Sequence, residues 1–223
     1  QTTSKKETSF AKVTVSANQN IYILQNMFSK PMAKKELVND IVEEPVEVPK
    51  DKIKAVQVED RVICDDSDMV REYYDKSRFG EPMAHRKFQY SLAEGLYMLE
   101  NERMEIKDGK KLLDAESYIA RARKKDKNFL IRYAVYRDMR NRGYIVKTAL
   151  KFGADFRVYD RGVKPGDDHA KWVLYPVSEV EFLTWYEFAA KNRVAHSTKK
   201  RLLIGIVDEE MSVTYYEIAW TRP

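Results

Sequence analysis

Between residues 151 and 200 the chain carries a phenol, an imidazole and a group of cations: Tyr159 in DFRVYDRG, His169 in GDDHAKW, and Lys200 in RVAHSTKKRLLIGIVD. In the strand-like run 154–160, alternation sets Phe156 and Val158 on one side and Asp155, Arg157 and Tyr159 on the other. This reading puts Tyr159 on a polar face at a strand end, away from the side a packing tyrosine would share with Phe156 and Val158. A loop of nine residues follows, RGVKPGDD among them, and His169 opens the next predicted strand, so the loop can return the imidazole to the Tyr159 end.

The third group comes from a predicted helix. Thr184 and Glu187 have capping-box spacing, so a helix should start at Trp185 and run through the basic segment to about residue 200. Helical spacing then places Arg193, His196 and Lys200 on one cationic face, flanked by Lys199 and Arg201. A phenol, an imidazole and an ammonium with no carboxylate pair suit metal-free phosphoryl transfer on RNA: two groups move protons, and a cation stabilises charge growing on phosphate. A metal-dependent nuclease would need an acidic residue followed by a D/E-x-K pair; the nearest candidate, Asp168 to Lys171, has the wrong spacing.

These residues need elements to hold them. Residues 129–142 read as a helix, with Leu130, Tyr133, Ala134 and Arg137 at helical spacing and Gly143 in the capping position. Predicted strands follow at 144–151, 154–160 and 169–175, then the helix from Trp185, then strands at 202–207 and 213–218 around the acidic turn Asp208 to Glu210. That order implies a mixed sheet with helices packed on it. Upstream, 55–64 reads as a strand pair, Asp65 or Ser67 can cap a helix that FGEP ends, Ser91 and Glu94 form a capping box, and Asp108-Gly109 marks a turn before a helix from about Asp114. The fold class is α/β (α+β), with an extension and linker at 1–54, a small domain at 55–127 and a second at 128–223. In the extension, runs at 11–16 and 20–25 could make a hairpin and residues 32–41 a short helix. Such a hairpin has no partner of its own, so it reads as the remnant or tail of another unit, and Gln1 in place of a methionine implies sequence before it.

The totals exclude several classes. The longest apolar run, 202–207, is far too short to span a bilayer, and no leader pattern opens the chain, so a soluble, cytoplasmic protein without a membrane partner is expected. The single cysteine, Cys64, excludes an intrachain disulfide and reads as a core residue, and no Cys/His cluster has zinc spacing. No metal and no cofactor is expected. Forty Lys and Arg against 35 Asp and Glu give a net charge of +5, which permits a polyanionic partner.

The stretches YYDKSRFGEP, SLAEGLYMLE, IRYAVYRDMRNRGYIVKTALKFGADFRVYDRG, GDDHAKW and RVAHSTKKRLLIGIVDEE, in this order, resemble the archaeal tRNA-splicing (tRNA-intron) endonucleases over roughly residues 58–223. The resemblance implies a small N-terminal domain and a restriction-endonuclease-like nuclease domain. It implies cleavage of precursor tRNA at bulge-helix-bulge junctions, leaving 2′,3′-cyclic phosphate and 5′-hydroxyl ends without a metal. By motif, Tyr159 matches the general base for the 2′-hydroxyl, His169 the general acid, Lys200 the residue that stabilises the transition state, and Arg193 an arginine that clamps a flipped base. His196 and Lys199 join Arg193 as RNA-binding candidates. The family's apolar-Arg pair before the lysine is Thr198-Lys199 here, which leaves Lys199 as a competitor to Lys200, and Arg222 is a candidate second clamp. Assembly as a homo-oligomer or with further endonuclease units is also implied, through strand 213–219 and the acidic turn. The alternative is a non-catalytic, RNA-binding or structural subunit of the same assembly.

Overall fold

The structure, a computed structural model, describes residues 51–149, 153–166 and 168–219. The expected hairpin and helix at 11–41 and the candidate Arg222 lie outside the described residues. Among those described, five helices and eleven strands form a mixed α+β fold with two sheets. No helix is long and apolar enough to cross a membrane among the described residues.

The first sheet has the order β3-β4-β2-β1-β5-β6. Its strands are β1 (Ile53–Val58), β2 (Arg61–Asp65), β3 (Glu81–Met83), β4 (Lys87–Ser91), β5 (Met104–Asp108) and β6 (Lys111–Leu113). The apolar members of each alternation, among them Ile53, Ala55, Val62, Cys64 and Ile106, are buried. Three helices belong with it: α1 (Asp68–Ser77), α2 (Leu92–Glu100) and α3 (Ala115–Lys125). Ser67 rather than Asp65 caps α1, and the helix ends at Arg78, in the left-handed region at φ 55°, one residue before FGEP. The Ser91/Glu94 capping box forms as its spacing predicts.

The second sheet, β11-β10-β9-β8-β7, contains β7 (Ile145–Thr148), β8 (Phe156–Tyr159), β9 (Trp172–Ser178), β10 (Arg201–Val207) and β11 (Val213–Ile218). Its one parallel pair, β9 with β10, is joined through α5 (Trp185–Ser197). One face packs on α4 (Phe129–Asn141): Tyr136 meets Phe156 at 5.9 Å between ring centroids, and Gly205 admits Val135, whose methyl carbons would stand 3.1 Å from an added Cβ. The other face supplies Val173, Tyr175, Leu202 and Ile204 to a core completed by Ala195 and Phe188 of α5. The sheet is thus covered on both sides.

Helix α4 and a buried ion pair tie the two sheets. Arg140 of α4 donates to Ser77 O and lies 3.7 Å over the Phe79 ring, while Lys147 of β7 donates to Gly80 O at 2.6 Å and pairs with Glu94 at 3.3 Å. Glu94 therefore does two jobs, since its other carboxylate oxygen accepts the Ser91 N–H of the capping box.

Candidate active site

Three strand ends set two of the predicted residues, Tyr159 and Lys200, in one row with Lys171 between them. Val158 pairs with Trp172, and Trp172 with Arg201, so one step further along the same direction Tyr159 ends β8, Lys171 leads into β9 and Lys200 leads into β10. Backbone bonds extend the row beyond the named strands: Lys171 N–H donates to Val158 O (2.9 Å) and Arg201 N–H to Lys171 O (3.0 Å). With strands about 4.8 Å apart, the backbones of Tyr159 and Lys200 stand roughly 10 Å from one another, with β9 between them. Alternation puts both on the face that carries Val173 and Leu202.

Tyr159 differs from expectation in its surroundings. Its face is covered, and the residue is only 5% exposed. Beside it Arg157 pairs with Glu81 of β3 at 3.8 Å, so the side that reads as polar in the alternation is where the first sheet's edge meets β8. Burial pushes the phenol above the ordinary tyrosine value; the Arg157 guanidinium pulls it down, and the Glu81 carboxylate adds to the rise. The net direction is opposite to the lowering that a nearby cation would give alone, because desolvation is the largest contribution.

His169 is exposed on the loop between β8 and β9 and precedes the strand instead of opening it; β9 starts three residues later, at Trp172. Its N–H donates to the Asp168 carboxylate at 2.6 Å, a local bond that competes with strand pairing. The loop is closed at its base by Asp160 and Lys171, whose side chains pair at 2.5 Å. That bond, with Lys171 and the Arg161 N–H as donors, holds the Asp160 carboxyl below the usual carboxylate range. Sequence reasoning missed this pair. The available signal is its position, since Asp160 adjoins Tyr159 and Lys171 stands two residues beyond His169.

Lys200 does not lie on the helix. α5 ends at Ser197; Lys199 takes φ 53°, its N–H donates to His196 O, and the Lys200 N–H donates to Ala195 O at 2.8 Å. These two bonds with a left-handed residue are a Schellman motif, here without the usual glycine. The shared helical face of Arg193, His196 and Lys200 is therefore corrected: Lys200 belongs to the lead-in of β10, and its ammonium donates to Thr198 O at 2.9 Å. It shares one shallow cleft with His196, together with Asn192, Arg201, Ile218 and Ala219. His169 is not among that cleft's lining residues. Arg193 is exposed on α5, with its guanidinium 6.0 Å from the Tyr186 ring centroid, at the outer limit of a cation–π contact. Lys199 is exposed at the helix end.

Next to the row lies a second group of residues that sequence reasoning passed over. Trp172 donates its indole N–H to Glu217 at 2.6 Å, Arg201 pairs with the same carboxylate, and Lys171 lies 4.4 Å over the Trp172 ring. Among the described residues no three His, Cys, Asp or Glu side chains are placed to hold a metal ion.

Comparison with known proteins agrees with this architecture. The model of the tRNA intron endonuclease N-terminal domain matches residues 53–119, and that of the tRNA intron endonuclease catalytic C-terminal domain matches residues 129–215. The tRNA-splicing endonuclease of Nanoarchaeum equitans is 44% identical over 151 residues, covering 65% of this chain and 97% of its own length. This chain belongs to the tRNA intron endonuclease family. The tRNA-splicing endonuclease of Thermococcus gammatolerans is 39% identical over 163 residues (73% of this chain, 95% of its own), and that of Methanothermobacter thermautotrophicus 36% over 155 residues (70% and 89%). The catalytic-domain match takes in α4 through the first half of β11, and with them the row of strand ends and Lys200 itself. Both domains of a tRNA intron endonuclease are thus present, in the family's order.

Proposed function

We propose that this tRNA intron endonuclease cuts precursor tRNA at bulge-helix-bulge exon–intron junctions, in the cytoplasm, by attack of the 2′-hydroxyl on the adjoining phosphate. In this reading Tyr159 takes the 2′-hydroxyl proton, His169 returns a proton to the departing 5′-oxygen, and Lys200 stabilises the charge on phosphate, giving 2′,3′-cyclic phosphate and 5′-hydroxyl ends. The observation that carries it is the strand register, which sets the end of β8, the lead-in to β9 and the lead-in to β10 side by side. A phenol, an imidazole and an ammonium can move protons and neutralise phosphate charge without a metal. Arg193, His196 and Lys199 then serve RNA binding, and residues 55–127 and 128–223 act as the two domains. Cleavage of a precursor tRNA with excess EDTA, followed by analysis of the ends, tests the reading; loss of cutting that added magnesium restores would overturn the metal-free step.

A second assignment of the acid has an observation behind it, because His196 and not His169 shares the cleft with Lys200. Single-turnover rates of His169→Ala and His196→Ala separate the two. We expect the first to lose roughly 100-fold or more and the second to change mainly RNA affinity.

We also propose assembly of several copies or related units. Its supports are the place of β11 at the sheet edge among the described residues, the exposed turn residues Glu209 and Glu210, and a run of exposed apolar side chains at Val180, Phe182, Trp185 and Tyr186.

A further inference from the structure

We infer that the β5–β6 hairpin and the second half of α3 form a phosphate-binding surface for precursor tRNA, separate from the cleavage centre. The inference rests on the proposed RNA substrate. Residues 107–127 hold eight Lys and Arg against four Asp and Glu, in a chain whose total charge is only +5. The fold brings the two halves of that segment together: Asp108, at the hairpin turn, pairs with Arg121 of α3, and Lys111 stands opposite Asp108 in the strand register. Lys110, Lys111, Lys124 and Lys125 are exposed around that pair.

What marks this surface is that three of its four carboxylates have partners other than its lysines, the fourth being the exposed Glu116. Asp108 is taken by Arg121, Asp114 caps α3 through the Ser117 N–H, and Asp126 pairs with Arg132. None of the four lysines pairs with a carboxylate among the described residues. Among the described residues outside this segment, 11 of 23 Lys and Arg have an ion pair with a described carboxylate, as in Arg71 with Asp66, Lys76 with Glu72, Arg142 with Asp138 and Arg201 with Glu217, against one of eight within it, Arg121. Cations at a helix C-terminus complement the helix dipole, which accounts for Lys124 and Lys125 but not for the two lysines on the hairpin. An unneutralised group of lysines on two adjoining elements is suited to a polyanion whose charges repeat along its length, and a nucleic acid backbone is one.

Its place in the fold says which part of the RNA it meets. β6 is one edge of the first sheet and β3 the other, and β3 supplies the Glu81 that reaches Arg157 beside Tyr159. Six strands set the two edges about 24 Å apart. Only an RNA that extends well beyond the scissile bond reaches both, so the surface would hold the body of the precursor and leave the junction to the second domain.

The test uses the whole chain with Lys110, Lys111, Lys124 and Lys125 changed together to Gln, and two RNAs, a complete precursor tRNA and a minimal junction hairpin. Thermal melting first checks that the variant is folded. We expect the variant to bind the complete precursor about 10-fold or more weakly at low salt, with the slope of log affinity against log salt shallower by about 3, as loss of four phosphate contacts predicts. Binding of the minimal hairpin should move less than about 2-fold, and the single-turnover rate at saturating protein should stay unchanged on both. Unchanged affinity and slope on the complete precursor would overturn the inference, as would equal weakening on both RNAs. So would unchanged RNA binding with lost binding to phosphatidylserine vesicles, which would assign the lysines to a membrane surface. If the unaltered protein cuts neither RNA, the proposed function fails instead, and the two failures are distinct.

Discussion

At the scale of single residues, the site puts its phenol in the wrong protonation state for a base. Tyr159 is buried, so its folded-state pKa lies above the ordinary value near 10, and the protonated form dominates at neutral pH. The sign follows for stability as well: a raised tyrosine value contributes stability that is fully present below about pH 10 and is lost as pH rises through the folded value. If the phenolate is the base, removing the acid should expose it. With His169→Ala, the single-turnover rate should climb about tenfold per pH unit between pH 7 and 9, because only the phenolate fraction changes; a flat profile in that variant would sink the role. The two lysines make a sharper comparison. Lys200→Ala should lower the single-turnover rate by about 100- to 1,000-fold, the usual loss when one electrostatic stabiliser is removed. Lys199→Ala should leave the rate at saturating RNA within about 3-fold, and the reverse ranking would move the role to Lys199.

At the scale of elements, the same lysine pair shows what a sequence carries and what it omits. The start of α5 was legible, because Thr184 and Glu187 announce a capping box that forms with both its bonds. Its end was not, because the residue that takes the left-handed position is Lys199 and not a glycine. The motif is satisfied by backbone bonds from Lys199 and Lys200 and by the Thr198 hydroxyl, which donates to Val194 O, and no residue type signals any of them. Replacing Lys199 by Gly should therefore stabilise the protein by about 1 kcal/mol relative to Lys199→Ala, since alanine keeps the left-handed strain and glycine does not. The measurement is a melting temperature higher by about 2–4 °C for the glycine variant; a lower one would mean that the strain is absent. Tyr159 is a second case. Alternation correctly separated Phe156 and Val158 from Arg157 and Tyr159, but period two reports sides and not what covers them. β8 is covered on both faces, by α4 at Phe156 and by the first sheet's edge at Arg157, and Glu81 comes from far upstream in the chain. The strand register that aligns Tyr159 with Lys200 was equally hidden, since only pairing through β9 creates it.

At the scale of the whole molecule, the exposed apolar run before and within the first turn of α5 is the feature a single copy leaves unexplained. Phe182 is 95% and Trp185 85% exposed, with Val180 and Tyr186 beside them. A buried aromatic removes about 150–250 Å² from water, and at about 25 cal/mol per Å² each such ring is worth several kcal/mol to whatever covers it. Leaving several on one short stretch makes sense if another copy or unit covers them. Light scattering on the unaltered protein at micromolar concentration should give a multiple of the single-chain mass. Phe182→Ser with Trp185→Ser should shift that mass toward the single chain while the melting curve of the separated chain remains cooperative. Changing Asp208, Glu209 and Glu210 to serine tests the acidic turn by the same readout. A substrate with two junctions separates assembly from chemistry: if two copies act together, the dissociated variant should cut both junctions of one RNA far less often than the parent. A variant that retains the parent's mass would show that the apolar run does not hold the copies together, and β11, an edge strand among the described residues, would then be the surface to alter next.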